Sequence, residues 1–109
     1  MSDISTYIDV EDGLKRVGGN AGLYKKLLQR FIDGGYFEAL ENHVNAGDTE
    51  PSVHDAHTLK GVAANLSLVK VNQLSAEIEQ QLKNGQDCSA NMAELKDAVN
   101  KTVEAISSI

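Results

Sequence analysis

HDAHTLKGVAANL, residues 54–66, is the stretch on which the reading of this chain turns. Wound as a helix at about 100° per residue, it gathers Val53, Ala56, Leu59, Val62, Ala63 and Leu66 on one side. That stripe predicts a helix over about residues 51–66, laid against a core. His57 then lies roughly 140° from the centre of the stripe and faces outward. Lys60 at i+3, Gly61 at i+4 and Ala64 at i+7 share its face. A glycine inside a helix costs about 1 kcal/mol relative to alanine. Here it removes bulk beside an exposed imidazole, so a large partner can come close to the ring.

Working outward, AGDTEP at residues 46–51 breaks the pattern, with Thr49 as the expected N-cap and Pro51 in the first turn. A short turn is expected at residues 67–70. Beyond it Val71, Leu74, Ile78 and Leu82 form one apolar face, and after the loop KNGQDCSAN a last helix carries Met92, Leu95, Val99, Val103 and Ile106. Towards the N-terminus the stripes are shorter: Val10, Leu14 and Val17; then Leu23, Leu27 and Phe31; then Phe37, Leu40 and Val44. Gly34 and Gly35 interrupt this arm and leave open which part of residues 20–46 supplies the first long helix. No strand pattern competes. The layout that buries every stripe is all-α: an antiparallel up-down four-helix bundle with a short additional N-terminal helix, one domain over residues 1–109.

Composition narrows the function. The chain has 109 residues, 41% of them hydrophobic, and a formal net charge of −6. That balance argues against nucleic acid as a ligand. No stretch is apolar enough for a membrane span, and no N-terminal segment resembles a signal peptide. Cys88, the single cysteine, cannot form an internal disulfide, which fits a reducing cytoplasm; in its polar loop it is expected to be incidental. Met1 and the full helix set are what a free-standing protein would show, rather than a module cut from a longer kinase.

The outer face of residues 54–64 suits phosphoryl transfer through histidine. A neutral imidazole is a competent nucleophile near pH 7. Its ring can attack phosphorus in line if the other nitrogen is held, and Lys60 can neutralise charge on the phosphoryl oxygens. The sequence has no glycine-rich phosphate loop of the Walker or kinase type, so the phosphoryl donor has to be another protein rather than ATP. In a hairpin centred on residues 67–70, His57 lies level with Glu79 or Gln80, and one of these or Gln81 can fix the imidazole. Lys70 and Lys25 are further positive charges without an assigned place.

AHTLKGVAANL, residues 56–66, resembles the signature of histidine-containing phosphotransfer (HPt) domains: a His, then x-L-K-G, then small residues and an apolar one. IDVEDGLKRVGGNAGLYKKLLQRFIDG, residues 8–34, is similar to the usual lead-in of these domains, and VNQLSAEIEQ, residues 71–80, to the helix that follows the His helix. Ser67 departs from the pattern, because many members carry glycine there; the turn is expected to change only slightly. The resemblance implies a cytoplasmic, monomeric phosphorelay carrier without kinase activity. It would take a phosphoryl group on His57 from an aspartyl phosphate of a hybrid kinase's receiver domain and pass it to the receiver of a response regulator. It implies Lys60 as phosphoryl stabiliser, Gly61 as the access residue, and His54, Ala64 and Glu79 around the site, with Glu79 favoured to orient His57. No cofactor is expected on this chain; the Mg2+ belongs to the receiver's acidic pocket.

Two other readings give different expectations. A helical adaptor would bind a signalling partner through the face of residues 54–64 without being phosphorylated. A small metal-binding bundle would use His54 and His57, one turn apart, with Asp55, but needs a third ligand such as His43 to fold close. His54 is expected instead at the rim of a partner site, and His43 on a helix flank.

Overall fold

The computed structural model of the chain describes residues 4–109. Met1, on which the expectation of a free-standing protein rests, lies outside them. All regular structure among the described residues is helical: a 3-10 turn at Ile4–Thr6, then α1 (Val10–Arg16), α2 (Ala21–Asp33), α3 (Tyr36–Asn45), α4 (Thr49–Leu66), α5 (Val69–Lys83) and α6 (Ser89–Ser107). Contacts of α3 with α4, α4 with α5, α5 with α6 and α6 with α3 close a ring, while α1 and α2 lie against α4. Two helices therefore flank the ring where the sequence predicts one. No helix among the described residues is long and apolar enough to cross a membrane.

The expected stripes face the core, with Val10 and Leu14 on α1 and Val17 at its end only half-buried and with three shifts elsewhere. On α4, Ala56, Leu59, Ala63 and Leu66 are buried, and Val53 and Val62 half-buried. On α2 the buried residues are Tyr24, Leu28 and Phe31, while Leu23 is exposed. The helix has turned one residue from the Leu23–Leu27–Phe31 reading because Tyr24 is amphipathic. Its ring fills the core, and its hydroxyl donates to the Leu66 carbonyl at 2.7 Å. Gly13 in α1 makes that possible, since a Cβ there would collide with the Tyr24 ring. On α6 the buried residues are Leu95, Ala98, Thr102 and Ala105, with Met92, Val99, Val103 and Ile106 half-buried around them. Small side chains let α6 approach closely, and Thr102 satisfies its hydroxyl on the Ala98 carbonyl at 2.6 Å. The third shift is Cys88, which is buried just before α6; burial pushes its thiol up.

Both ends of α4 differ from expectation. Thr49 is already helical, and the cap position is Asp48, whose side chain makes no capping bond; Ser52 Oγ donates to the Asp48 carbonyl at 2.6 Å instead. Pro51 lies in the first turn, where no intrahelical N–H is needed. At the other end the turn is only Ser67 and Leu68, so Val69 and Lys70 are helical. Ser67 takes the left-handed conformation (φ 58°, ψ 40°). Leu68 N–H then donates to the Ala63 carbonyl at 2.8 Å and Ser67 N–H to the Ala64 carbonyl at 3.3 Å, the bond pair of a Schellman stop. Glycine is the usual residue at that position. Ser67 holds it with its hydroxyl, which donates to Asp12 Oδ2 at 2.5 Å, while its carbonyl accepts from Asp9 N–H at 2.9 Å. These bonds fasten α1 to the α4–α5 turn.

Candidate functional site

The two-residue turn makes α4 and α5 an antiparallel hairpin. Asn72 Nδ2 donates to the Lys60 carbonyl at 3.1 Å, and one turn earlier on α4, His57 faces Glu79, farther along α5. The His57 side chain is 66% exposed, whereas that of Glu79 is 6% exposed. His57 Nδ1 lies 3.1 Å from Glu79 Oε2. Lys60 Nζ lies 2.7 Å from Glu79 Oε1, and Lys83 Nζ lies 3.1 Å from Oε2. A buried carboxylate thus accepts from three donors on two helices.

Burial by itself would raise the Glu79 carboxyl. The bonds from Lys60, Lys83 and His57 outweigh it and hold the pKa down at about 2. Glu79 is therefore ionised at neutral pH and can only accept. His57 Nδ1 must carry the hydrogen of that bond, which in the neutral ring puts the lone pair on Nε2. This arrangement can present a nucleophilic nitrogen of fixed tautomer and orientation to an incoming phosphorus atom.

The other predicted residues fall around this centre. Gly61 is exposed, and a Cβ added to it would meet no atom within 4 Å. Ala64 is exposed farther along the same face, beside a cleft shared with Asp12, Arg16 and Ser67. His54 is exposed and lines a shallow groove with Val53, His57, Glu79, Leu82 and Lys83. Of the three candidates for orienting His57, Glu79 makes the bond. Gln80 is exposed, and the amide oxygen of Gln81 is buried without a partner among the described residues. His43 is drawn to Asp55, with Nδ1 2.5 Å from Oδ2, across the α3–α4 seam. No ion pair joins Lys25 or Lys70 to the His57 cluster among the described residues. Nor, among them, is any group of three or more His, Cys, Asp or Glu side chains arranged to hold a metal ion.

Lys83 escaped the sequence reading. Its signal was the i+4 spacing from Glu79, which by itself is the spacing of an ordinary solvated helix pair. Only the burial of Glu79 separates the two cases, and burial depends on how α5 is rolled against α4.

A family model described as Hpt domain matches residues 26–106. The matched segment spans α3 to α6 and part of α2, and leaves α1 outside. No curated protein and no solved structure matches the chain.

Proposed function

Because the chain belongs to the Hpt domain family, the histidine phosphotransfer modules of phosphorelays, we propose that it is a relay intermediate whose phosphoryl acceptor is His57. It takes the group from an aspartyl phosphate on the receiver domain of a hybrid kinase and hands it to the receiver of a response regulator. The observation that carries this reading is the exposed His57 ring, held at Nδ1 by an ionised, buried Glu79, with Nε2 free.

In this reading the Nε2 lone pair attacks phosphorus. The Nε2–P bond forms as the P–O bond to the donor aspartate breaks, and the aspartate leaves as carboxylate with the bonding electron pair. The hydrogen on Nδ1 stays, so the ring becomes positively charged as the bond forms. Glu79 then does two things: it fixes the tautomer beforehand and stabilises the imidazolium during transfer. Lys60 turns from Glu79 to the phosphoryl oxygens. Gly61 leaves the receiver room to reach the ring, and His54 and Ala64 lie on the surface it covers. Any Mg2+ is supplied by the receiver. The chain is a cytoplasmic, monomeric carrier, modified in each cycle, and has no ATP-dependent step of its own.

The architecture fits this role. We take α3 to α6 as the antiparallel up-down four-helix bundle of a single domain over residues 1–109. The closed ring of contacts and the short connections support this, since short links between helices favour antiparallel neighbours. The His57 site then sits on one outer seam of the bundle.

Incubation with a phosphorylated receiver tests the function. The protein should gain an acid-labile, base-stable phosphoryl group, and His57→Gln should gain none while keeping its helical content, because an exposed side chain contributes little stability. Uptake by His57→Gln would move the acceptor to another residue. No uptake by the unaltered protein from any receiver, with receiver binding intact, would leave an adaptor.

A further inference from the structure

The Glu79 carboxylate holds two lysines where the chemistry above uses one. Lys60 has Oε1 to itself at 2.7 Å, while Lys83 shares Oε2 with His57 at 3.1 Å. We propose that Lys83 is a positioning residue for the transfer: it takes over as counter-ion of Glu79 and so frees Lys60 to follow the phosphoryl group. This rests on His57 as the acceptor.

The charge balance of the cluster favours this role. Before transfer, two ammonium groups against one carboxylate leave the cluster one positive charge in excess. A phosphoryl dianion on a protonated ring adds one net negative charge, so the loaded cluster is neutral. Without Lys83 the same cluster would start neutral and end negative, around a carboxylate that is only 6% exposed. The phosphoryl group itself meets solvent on the exposed ring, so the cost falls on the buried carboxylate, which keeps one cation fewer beside the new negative charge.

Lys83 also acts on Lys60 directly. If Lys83 were absent, Lys60 would be the only cation on Glu79 until the ring gains its charge, and detaching it before then would leave the buried carboxylate with a neutral imidazole alone. With Lys83 in place, Glu79 remains paired, and repulsion between the two ammonium groups favours the departure of Lys60. The two lysines differ as the roles require. Lys60 rises from the same helix as His57, three residues on, with its side chain 33% exposed. Lys83 rises from the helix that carries Glu79, four residues on, so it can stay with the carboxylate whatever happens on α4. Its charge reaches the reacting centre through Glu79.

Single-turnover transfer from a phosphorylated receiver tests this in a double-mutant cycle of Lys83→Ala and Lys60→Ala. Lys83→Ala should slow transfer about three- to tenfold in the otherwise unaltered protein, the size of one partly exposed charge contact. In the Lys60→Ala background the same change should slow it by less than about twofold, since the lysine to be freed is gone. Lys83→Arg should restore most of the rate. Receiver affinity should be unchanged, which separates positioning from docking. An equal loss in both backgrounds, a loss carried by receiver affinity, or no loss at all would each overturn the proposal while transfer by the unaltered protein still stood. Absence of transfer by the unaltered protein would instead refute the acceptor role of His57.

Discussion

Two carboxylates organise this protein at two levels of α4, one near its middle and one at its C-terminal end, and they do so under different conditions. Near the middle of the helix, Glu79 is buried and accepts from His57, Lys60 and Lys83. At its C-terminal end, Asp12 is solvated and accepts from Ser67 and from Arg16 at 2.9 Å. Both carboxyls are held below their ordinary values: Glu79 by its bonds working against burial, Asp12 first by the Ser67 hydroxyl and then by Arg16. The bond types match, but the surroundings differ. Where water is excluded, the carboxylate can fix the tautomer and orientation of the neighbouring ring. Where water reaches in, it ties one helix to a turn, and solvent takes up most of any change in charge.

The largest difference should appear on removing the buried carboxylate. Glu79→Ala leaves two lysines facing a hole and removes the acceptor of His57 Nδ1. It should cost on the order of 2–3 kcal/mol in urea unfolding, the lower end for a broken buried pair because both lysines can turn to solvent. The pH dependence has a defined sign. Glu79 is lowered from an ordinary 4.5 to about 2, so the stability it contributes is complete above about pH 4.5 and is lost as the pH falls toward 2. That acid-side loss should be absent from Glu79→Ala. Equal slopes for the two proteins between pH 5 and 2, on the order of the range where the linkage acts, would mean that Glu79 is not gripped as described.

The C-terminal end of α4 is sharpened by two substitutions at one position. Ser67→Ala and Ser67→Gly both lose the bond to Asp12, but only alanine keeps a Cβ in the left-handed conformation. Glycine should therefore be about 1 kcal/mol more stable than alanine. Both should loosen α1, seen as faster amide exchange at Asp9, without touching the ring of His57. Equal stability of the two variants would show that the turn does not impose the left-handed conformation on residue 67.

How far each level could be read from sequence follows from the same contrast. The Glu79 level was largely legible, because a hairpin reflects residue numbers about its turn, and His57 comes level with residue 79 even when the turn is drawn two residues too long. What the pattern could not supply was the burial of Glu79 and the second lysine on it, since both depend on the roll of α5. The Ser67 end was read as a minor departure from a glycine, yet it carries the bonds that dock α1. The Ser67–Asp12 bond joins residues 55 apart in sequence, and no periodicity records such a contact. The same limit explains α2: the apolar stripe through Leu23 was plausible until the Tyr24 hydroxyl found the Leu66 carbonyl 42 residues away.

The smallest expected effect lies between the two levels, at Gly61. With open space where a Cβ would go, Gly61→Ala should stabilise the protein by up to about 1 kcal/mol in thermal unfolding. Gly61→Glu should keep the helix but slow transfer, by placing bulk and negative charge where the receiver's acidic pocket approaches. A markedly destabilised Gly61→Ala would mean that this face is packed rather than open.

In the proposed relay, Glu79 leaves one particular nitrogen of one particular histidine free to take the phosphoryl group. Heteronuclear NMR of the protein, labelled with 15N in its histidine rings and phosphorylated by a receiver, reads this directly. The expected result is a phosphorus–nitrogen coupling at Nε2 of His57, with the Nδ1 hydrogen still present. A phosphoryl group on Nδ1, or on any residue other than His57, would contradict it.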